Sequence, residues 1–112
     1  SSQAAQELCR ALGSRRRGAV TEVAVRLEKR RMSREELSEL LEQGRAVCVA
    51  ALLQLYGQPQ AGDLPAFLAK NLTKVQIMRT IEVLQKYHGE CVYNVGPNHV
   101  LGALAVELEG IL

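Results

Sequence analysis

The stretch that decides the fold is residues 72–88, LTKVQIMRTIEVLQKYH. Thr73 stands where a side chain can cap the first turn of a helix, and Gly89 stands where helices commonly end. The apolar residues between them recur at helical spacing and form a wide arc: Val75, Met78, Ile81 and Leu84, with Ile77 and Val83 beside them. A wide arc implies several packing neighbours. The pattern therefore predicts the central helix of an all-α bundle, with Ile81 buried.

On either side of this stretch, helical patterns alternate with short polar breaks. We predict helices over about 2–12, 19–32, 34–42, 46–56, 64–70 and 98–112. Ser33 and Glu36 have the spacing of a capping box, and Asp63 is predicted to cap the helix that follows it. Gly44 is predicted to break or kink the segment 34–56, because glycine costs about 1 kcal/mol relative to alanine inside a helix. Residues 91–95 have extended propensity, but the chain offers no second strand to pair with them. A turn around Gly96-Pro97 is therefore predicted in this region.

Length and composition predict a single domain. The chain has 112 residues, of which 47% are apolar, with one Phe, three Tyr and no Trp. The core must therefore consist of aliphatic side chains, which suits closely packed helices. The expected fold is an all-α, compact orthogonal bundle of about six or seven short helices. Residues 1–18 would form an N-terminal helix and basic hinge, peripheral or packed, and residues 19–112 the core bundle.

Three cysteines, Cys9, Cys48 and Cys91, lack the paired spacing of a disulfide or zinc framework. We predict free thiols in a reducing compartment, with Cys48 in the core. His88 near Cys91 is the one candidate for catalytic chemistry, and no orienting group or oxyanion loop accompanies it. We predict no enzymatic activity, no metal site and no cofactor.

Charge divides the chain into two parts. Residues 10–34 hold nine basic and two acidic residues, a net charge of +7, whereas the remainder holds five basic and ten acidic residues, a net charge of −5. Such asymmetry indicates a partner-binding surface. The predicted basic surface comprises Arg15, Arg16, Arg17, Arg26, Lys29, Arg30, Arg31 and Arg34. It suits an acidic protein segment or nucleic-acid phosphates, but without interleaved aromatics it does not favour base stacking.

Two short motifs have competing interpretations. Leu37, Leu40 and Leu41 form an L-x-x-L-L sequence, which is a groove-binding helix when exposed and a core face within a bundle. The core interpretation is favoured. Arg30-Arg31-Met32-Ser33 has the R-R-x-S form accepted by basophilic kinases, so Ser33 is a candidate phosphorylation site as well as a helix cap.

The middle of the chain resembles a known family. The features are VAALLQL at 49–55, Pro59, a short helix at 64–68, and a helix that begins Thr73-Lys-Val75 and ends Lys86-Tyr87. Together they resemble the N-terminal domain of elongation factor S-II and elongin A, which is similar to the integrase-binding domain of lens-epithelium-derived growth factor. The resemblance covers roughly 34–112. It implies a module that docks short motifs of disordered transcription or chromatin proteins. The implied groove residues are Leu72, Thr73, Val75, Tyr87 and His88.

These observations predict a non-enzymatic protein–protein interaction module that binds a short segment of a partner in a nuclear or cytoplasmic assembly, with the nucleus favoured. The alternative is a helical nucleic-acid-binding domain that uses the surface from Arg15 to Arg34. No apolar run approaches the roughly 20 residues of a membrane span, so a membrane partner is not predicted.

Overall fold

Six α-helices make up the regular structure of the part described by a computed structural model, residues 2–91 and 96–112. They are α1 (Gln3–Gly13), α2 (Ala19–Lys29), α3 (Arg34–Leu55), α4 (Asp63–Asn71), α5 (Lys74–Cys91) and α6 (Pro97–Ile111). No strand occurs within these residues, so the all-α prediction is confirmed. The radius of gyration is 13.0 Å, close to the value of about 13 Å expected for one compact domain of this length.

The core lies around the pair α3 and α5. Helix α4 packs on α3, α6 packs on α5 and α2, and α1 contacts α2, α3 and α4. Leu12, Leu41, Leu84 and Leu108 come from four different helices and are fully buried. Burying a leucine side chain contributes about 1.5–3 kcal/mol, so these contacts hold the bundle together. Because Leu12 belongs to α1, the first helix is packed rather than peripheral.

Two helices begin with the reciprocal caps that their sequences indicate. The Ser33 hydroxyl accepts from the Glu36 amide at 3.1 Å, and the Glu36 carboxylate accepts from the Ser33 amide at 3.0 Å. At α5 the Thr73 hydroxyl accepts from the Gln76 amide at 3.1 Å, and the Gln76 side chain accepts from the Thr73 amide at 3.0 Å. Both caps satisfy amides that have no partner within the helix, so α3 and α5 begin at these positions.

The predicted face of α5 is partly wrong: Ile77 and Leu84 of the predicted arc are buried, but its other members are not. Val75 and Met78 are 55% and 45% exposed, and Ile81 is half-buried. The buried face is instead Ile77, Thr80, Leu84, Tyr87 and Cys91. Helix α5 has neighbours on one side, α3 and α6, so only part of its apolar arc is covered. Thr80 can join that face because its hydroxyl donates to the Gln76 carbonyl at 2.8 Å. Gly89 does not end the helix, which continues to Cys91.

Gly44 does not break α3, which runs without interruption over 22 residues. The glycine is buried, and the side chains of Leu8 from α1 and Leu84 from α5 lie next to the position that a Cβ atom would occupy. Packing of α3 against α1 and α5 at this position therefore outweighs the modest propensity cost of one glycine. The three L-x-x-L-L leucines, Leu37, Leu40 and Leu41, are buried in the first half of this helix, which confirms their core interpretation.

Some predicted helix ends also need correction. Helix α2 stops at Lys29 rather than residue 32, and Arg31 adopts a left-handed backbone with φ of 51°. Asp63 is the first residue of α4 rather than its cap, because Gly62 occupies the cap position with φ of 89°. Gly96, where a turn is predicted, is the N-cap of α6, and Pro97 is the first residue of that helix. Cys91, the first residue of the stretch with extended propensity, ends α5, and residues 92–95 lie outside the described residues.

Candidate functional site

A cavity of about 410 Å³ lies where the α1–α2 loop meets the α4–α5 junction and the end of α6. Its apolar lining is formed by Leu12, Leu72 and Leu112, and its polar lining by Arg15, Arg16, Arg17, Asn71, Gln76 and Glu109. We call it the arginine-rimmed cavity. It brings three residues of the predicted basic surface next to Leu72, a residue of the predicted groove.

The α1–α2 loop places three consecutive arginines around this cavity. Ser14 follows α1, and its hydroxyl donates to the Ala11 carbonyl at 2.8 Å and accepts from the Arg16 amide at 3.2 Å. Arg15 then takes a left-handed backbone with φ of 61°, and Gly18 takes φ of 85° before α2 begins. Left-handed residues reverse the chain tightly. The loop is therefore held by local bonds, and its arginine side chains remain exposed.

The three arginines differ in their pairing. Arg16 donates to both carboxylate oxygens of Glu22, at 3.2 Å and 2.7 Å. This hydrogen-bonded pair raises the pKa of Arg16 and lowers the pKa of Glu22. Within the described residues, Arg15 and Arg17 take part in no ion pair. Two uncompensated guanidinium groups therefore stand at the rim, each able to bind a carboxylate or phosphate in a bidentate manner.

Glu109 of α6 forms one wall and also caps α2. Its carboxylate accepts from the Gly18 amide at 3.3 Å, from the Thr21 amide at 3.1 Å and from the Thr21 hydroxyl at 3.0 Å. Gly18 has no side chain that could cap the helix. The carboxylate thus replaces the usual local cap at the positive end of α2. The sequence alone does not indicate this role, because Glu109 lies about ninety residues from Gly18 and Thr21.

The two amide side chains of the cavity hold the α4–α5 junction in place. Asn71 donates to the Phe67 carbonyl at 2.8 Å. Gln76 completes the α5 cap, and its amide nitrogen donates to the Ile111 carbonyl at 3.4 Å. The first bond lies within α4 and the last joins α5 to α6, close to Leu72, which is 7% exposed.

The other predicted basic residues lie elsewhere. Arg30 pairs with Glu7 of α1 at 3.3 Å, and Arg26 is exposed on α2. Lys29 and Arg31 line a separate open cleft with residues 96–99, at the opposite end of α2. Eleven helical residues put the two ends about 16 Å apart. Arg34, at the start of α3, is close enough to Cys91 for its charge to oppose the rise that burial causes in the pKa of that thiol. The eight basic residues therefore do not form one surface.

The predicted groove is divided in the same way. Thr73 and Val75 lie at the start of α5, whereas Tyr87 and His88 lie about 18 Å further along it. Tyr87 is buried and its hydroxyl donates to Glu107, while the His88 imidazole lies 3.1 Å from the Ser38 hydroxyl. Burial, followed by the bond to Glu107, raises the pKa of Tyr87. The structure therefore does not bring the five groove residues together.

Ser33 is exposed between α2 and α3, where its hydroxyl serves as the cap described above. Its backbone is extended, with φ of −73° and ψ of 165°. Arg30 and Arg31, the two arginines of the R-R-x-S motif, are exposed on the same loop. Phosphorylation of Ser33 stays a prediction.

The three cysteines are free and buried. Burial raises the pKa of Cys9 to about 12 and also raises the pKa values of Cys48 and Cys91. The thiols are therefore protonated at neutral pH, whereas the thiolate is the nucleophile and metal ligand. Among residues 2–91 and 96–112, no three His, Cys, Asp or Glu side chains are grouped to hold a metal ion.

Comparison of the chain with models of protein families, with curated proteins and with solved structures finds no match. No helix in the described part of the chain combines the length and apolar character needed to cross a membrane.

Proposed function

We propose that the chain is a non-enzymatic interaction module that binds a short acidic segment of a partner protein in the arginine-rimmed cavity. The observation that carries this proposal is the combination of an apolar lining, in which Leu112 is exposed beside Leu72, with two arginines at the rim that take part in no ion pair. An aliphatic side chain of the segment enters the cavity and packs against this apolar lining. Carboxylates on either side of it pair with Arg15 and Arg17.

The chemistry of the rim favours carboxylates presented by a peptide. Arginine binds a carboxylate through two parallel N–H···O bonds, which adds directionality to the charge attraction. Arg16 is already paired with Glu22, so it shapes the rim but contributes less binding energy. A partner in a nuclear or cytoplasmic assembly fits this mode. Docking of transcription or chromatin proteins, which the family resemblance implies, is one form of it.

Nucleic acid is the competing partner, and the distribution of charge argues against it. Carboxylates stand among the arginines, with Glu22 bonded to Arg16 and Glu109 forming a wall of the cavity. A phosphate backbone laid along α2 would meet both of them, whereas a short peptide that pairs with Arg15 and Arg17 need approach only Glu109. Binding to a duplex depends on several phosphate contacts along one surface. Here the basic residues are divided between the two ends of α2.

The protonated thiols support a non-enzymatic role. Cys91, the candidate nucleophile, is 2% exposed, and burial is the main cause of its raised pKa. Its candidate base, His88, is hydrogen-bonded to Ser38. Neither group is positioned toward the arginine-rimmed cavity, which is lined by other residues.

Fluorescence anisotropy with a labelled peptide tests the proposal. The probe is a short peptide with a central leucine flanked by aspartate and glutamate, and its comparison peptide has lysines in place of the acids. The double variant Arg15→Glu/Arg17→Glu should weaken binding of the acidic peptide at least about tenfold, since each lost bond to a charged group is worth more than 1 kcal/mol. Melting temperature should stay nearly unchanged, because exposed charges contribute little to stability.

The matched control is Arg26→Glu/Lys29→Glu, which changes the net charge equally but lies outside the cavity. It should bind the acidic peptide nearly as well as the unchanged chain. Equal loss in both double variants would contradict a defined site. Tighter binding of generic duplex DNA, with a steep salt dependence, would instead favour the nucleic-acid alternative.

A further inference from the structure

One exposed row of α5 carries a positive, an apolar and a negative residue in order. Lys74, Met78 and Glu82 are four residues apart, so their side chains lie above one another on the same face of the helix. All three are exposed. Val75, which is 55% exposed, lies beside Met78 and widens the apolar part of the row. An exposed methionine and valine between two opposite charges are not explained by packing within one chain.

Helix α3 continues this apolar surface. Residues 46–62 contain no charged side chain. Val49, Leu53 and Tyr56 have the spacing of one helix face, and Tyr56 is 61% exposed. The two helices meet here, since the Lys74 ammonium lies 4.3 Å from the centre of the Tyr56 ring. We call this surface the α3–α5 strip: Val49, Leu53, Tyr56, Val75 and Met78, with Lys74 and Glu82 at its ends.

We propose that the α3–α5 strip is a homodimer interface in which the α5 helices of two copies cross antiparallel at Met78. Met78 stands midway between Lys74 and Glu82, with four residues, or about 6 Å, to either side. A two-fold axis at Met78 therefore places each Lys74 opposite Glu82 of the second copy. Such an interface is isologous, because the same surface serves on both subunits.

The charges identify a second copy as the occupant of the strip. A strip with charges of one sign would fit any partner of the opposite sign. Lys74 and Glu82 give this strip both signs at equal distances from its centre, with the exposed Arg79 at its edge beside Val75, so the two end charges are complementary to a second copy in the reverse direction. Lys74 and Glu82 take part in no ion pair in the described part of the chain, and the cation–π contact of Lys74 with Tyr56 leaves its charge uncompensated.

The dimer leaves the arginine-rimmed cavity open. Gln76, which lines that cavity, is two residues from Met78 and therefore lies on nearly the opposite side of α5. The two surfaces can be occupied together, so the dimer does not depend on the proposed function. Two cavities in one dimer would bind two acidic segments.

Sedimentation velocity on the 112-residue chain tests the dimer. Runs from low to high micromolar concentration should show a shift from monomer to dimer. Met78→Glu should abolish the shift, because it places two carboxylates together at the axis. The matched control is Val106→Glu, which introduces the same charge at an apolar residue of α6 that is 74% exposed. This control should dimerise like the unchanged chain, and circular dichroism melting checks that both variants are folded.

Charge reversal tests the antiparallel register. Lys74→Glu and Glu82→Lys each bring like charges together across the axis, so each should weaken the dimer at least about tenfold. The double variant Lys74→Glu/Glu82→Lys restores opposite pairs and should recover the original dissociation constant. A double variant as weak as the single ones would overturn the register. A chain that stays monomeric at every concentration would overturn the proposal, and would favour a helix of another protein as the occupant.

Discussion

At the scale of single residues, Gly44 shows how a pattern of local propensity can be overridden. A Cβ atom added at Gly44 would lie 3.6 Å from Leu84 and 3.7 Å from Leu8, which is ordinary van der Waals contact. Gly44→Ala should therefore raise the free energy of unfolding by about 0.5–1 kcal/mol, since alanine loses less backbone entropy in a helix. Urea denaturation measures this change.

Gly13→Ala is the matched control, because Gly13 is also a buried helical glycine. A Cβ atom there would lie only 2.5 Å from the Phe67 ring, so the ring must move and the variant should lose stability. Loss of stability in Gly44→Ala would mean that the α1 and α5 leucines cannot accommodate a methyl group beside α3.

At the scale of helices, the cap that Glu109 provides for α2 links the two ends of the chain. Glu109→Ala removes an acceptor of three hydrogen bonds at a helix start without a local cap. The free energy of unfolding should fall by about 0.5–2 kcal/mol, as it does when a capping side chain is truncated. Hydrogen exchange should also become faster at the Thr21 amide, which loses its acceptor.

Glu42→Ala provides the comparison, since it removes an exposed glutamate from the middle of α3. It should change stability by less than about 0.5 kcal/mol. If Glu109→Ala behaves in the same way and the Thr21 amide keeps its protection, the carboxylate is not the cap of α2.

At the scale of the whole molecule, the packing of α3 and α6 against one side of α5 decides which residues of α5 carry the fold. Leu84 is fully buried and Ile81 is half-buried. Leu84→Ala should lower the free energy of unfolding by about 2–5 kcal/mol, the range for core truncations. Ile81→Ala should cost clearly less, because solvent already reaches that side chain. Urea denaturation of both variants under the same conditions gives the comparison.

Equal losses in the two variants would mean that solvent does not reach Ile81, and that a neighbour covers this edge of α5. The dimer is such a neighbour only when the protein is concentrated. The measurement therefore belongs at low protein concentration, where the proposed dimer dissociates.

The sequence by itself determined the features that act within a few residues. The helix starts at Ser33 and Thr73 follow from reciprocal caps between residues three apart. Such caps form within one turn of the chain and do not depend on neighbouring helices. The all-α class follows from apolar residues at helical spacing, and the buried L-x-x-L-L leucines follow from the same periodicity.

Only the tertiary structure decided which side of each helix is covered and which distant residues meet. The apolar arc of α5 is wider than its two neighbours can cover, so Met78 remains exposed and Leu84 is buried. The arginine-rimmed cavity exists because loop 14–18, Leu72 and Glu109 converge from three parts of the chain. The physical reason is range: caps and propensities act within one or two turns, whereas burial and cavities depend on where neighbouring helices lie.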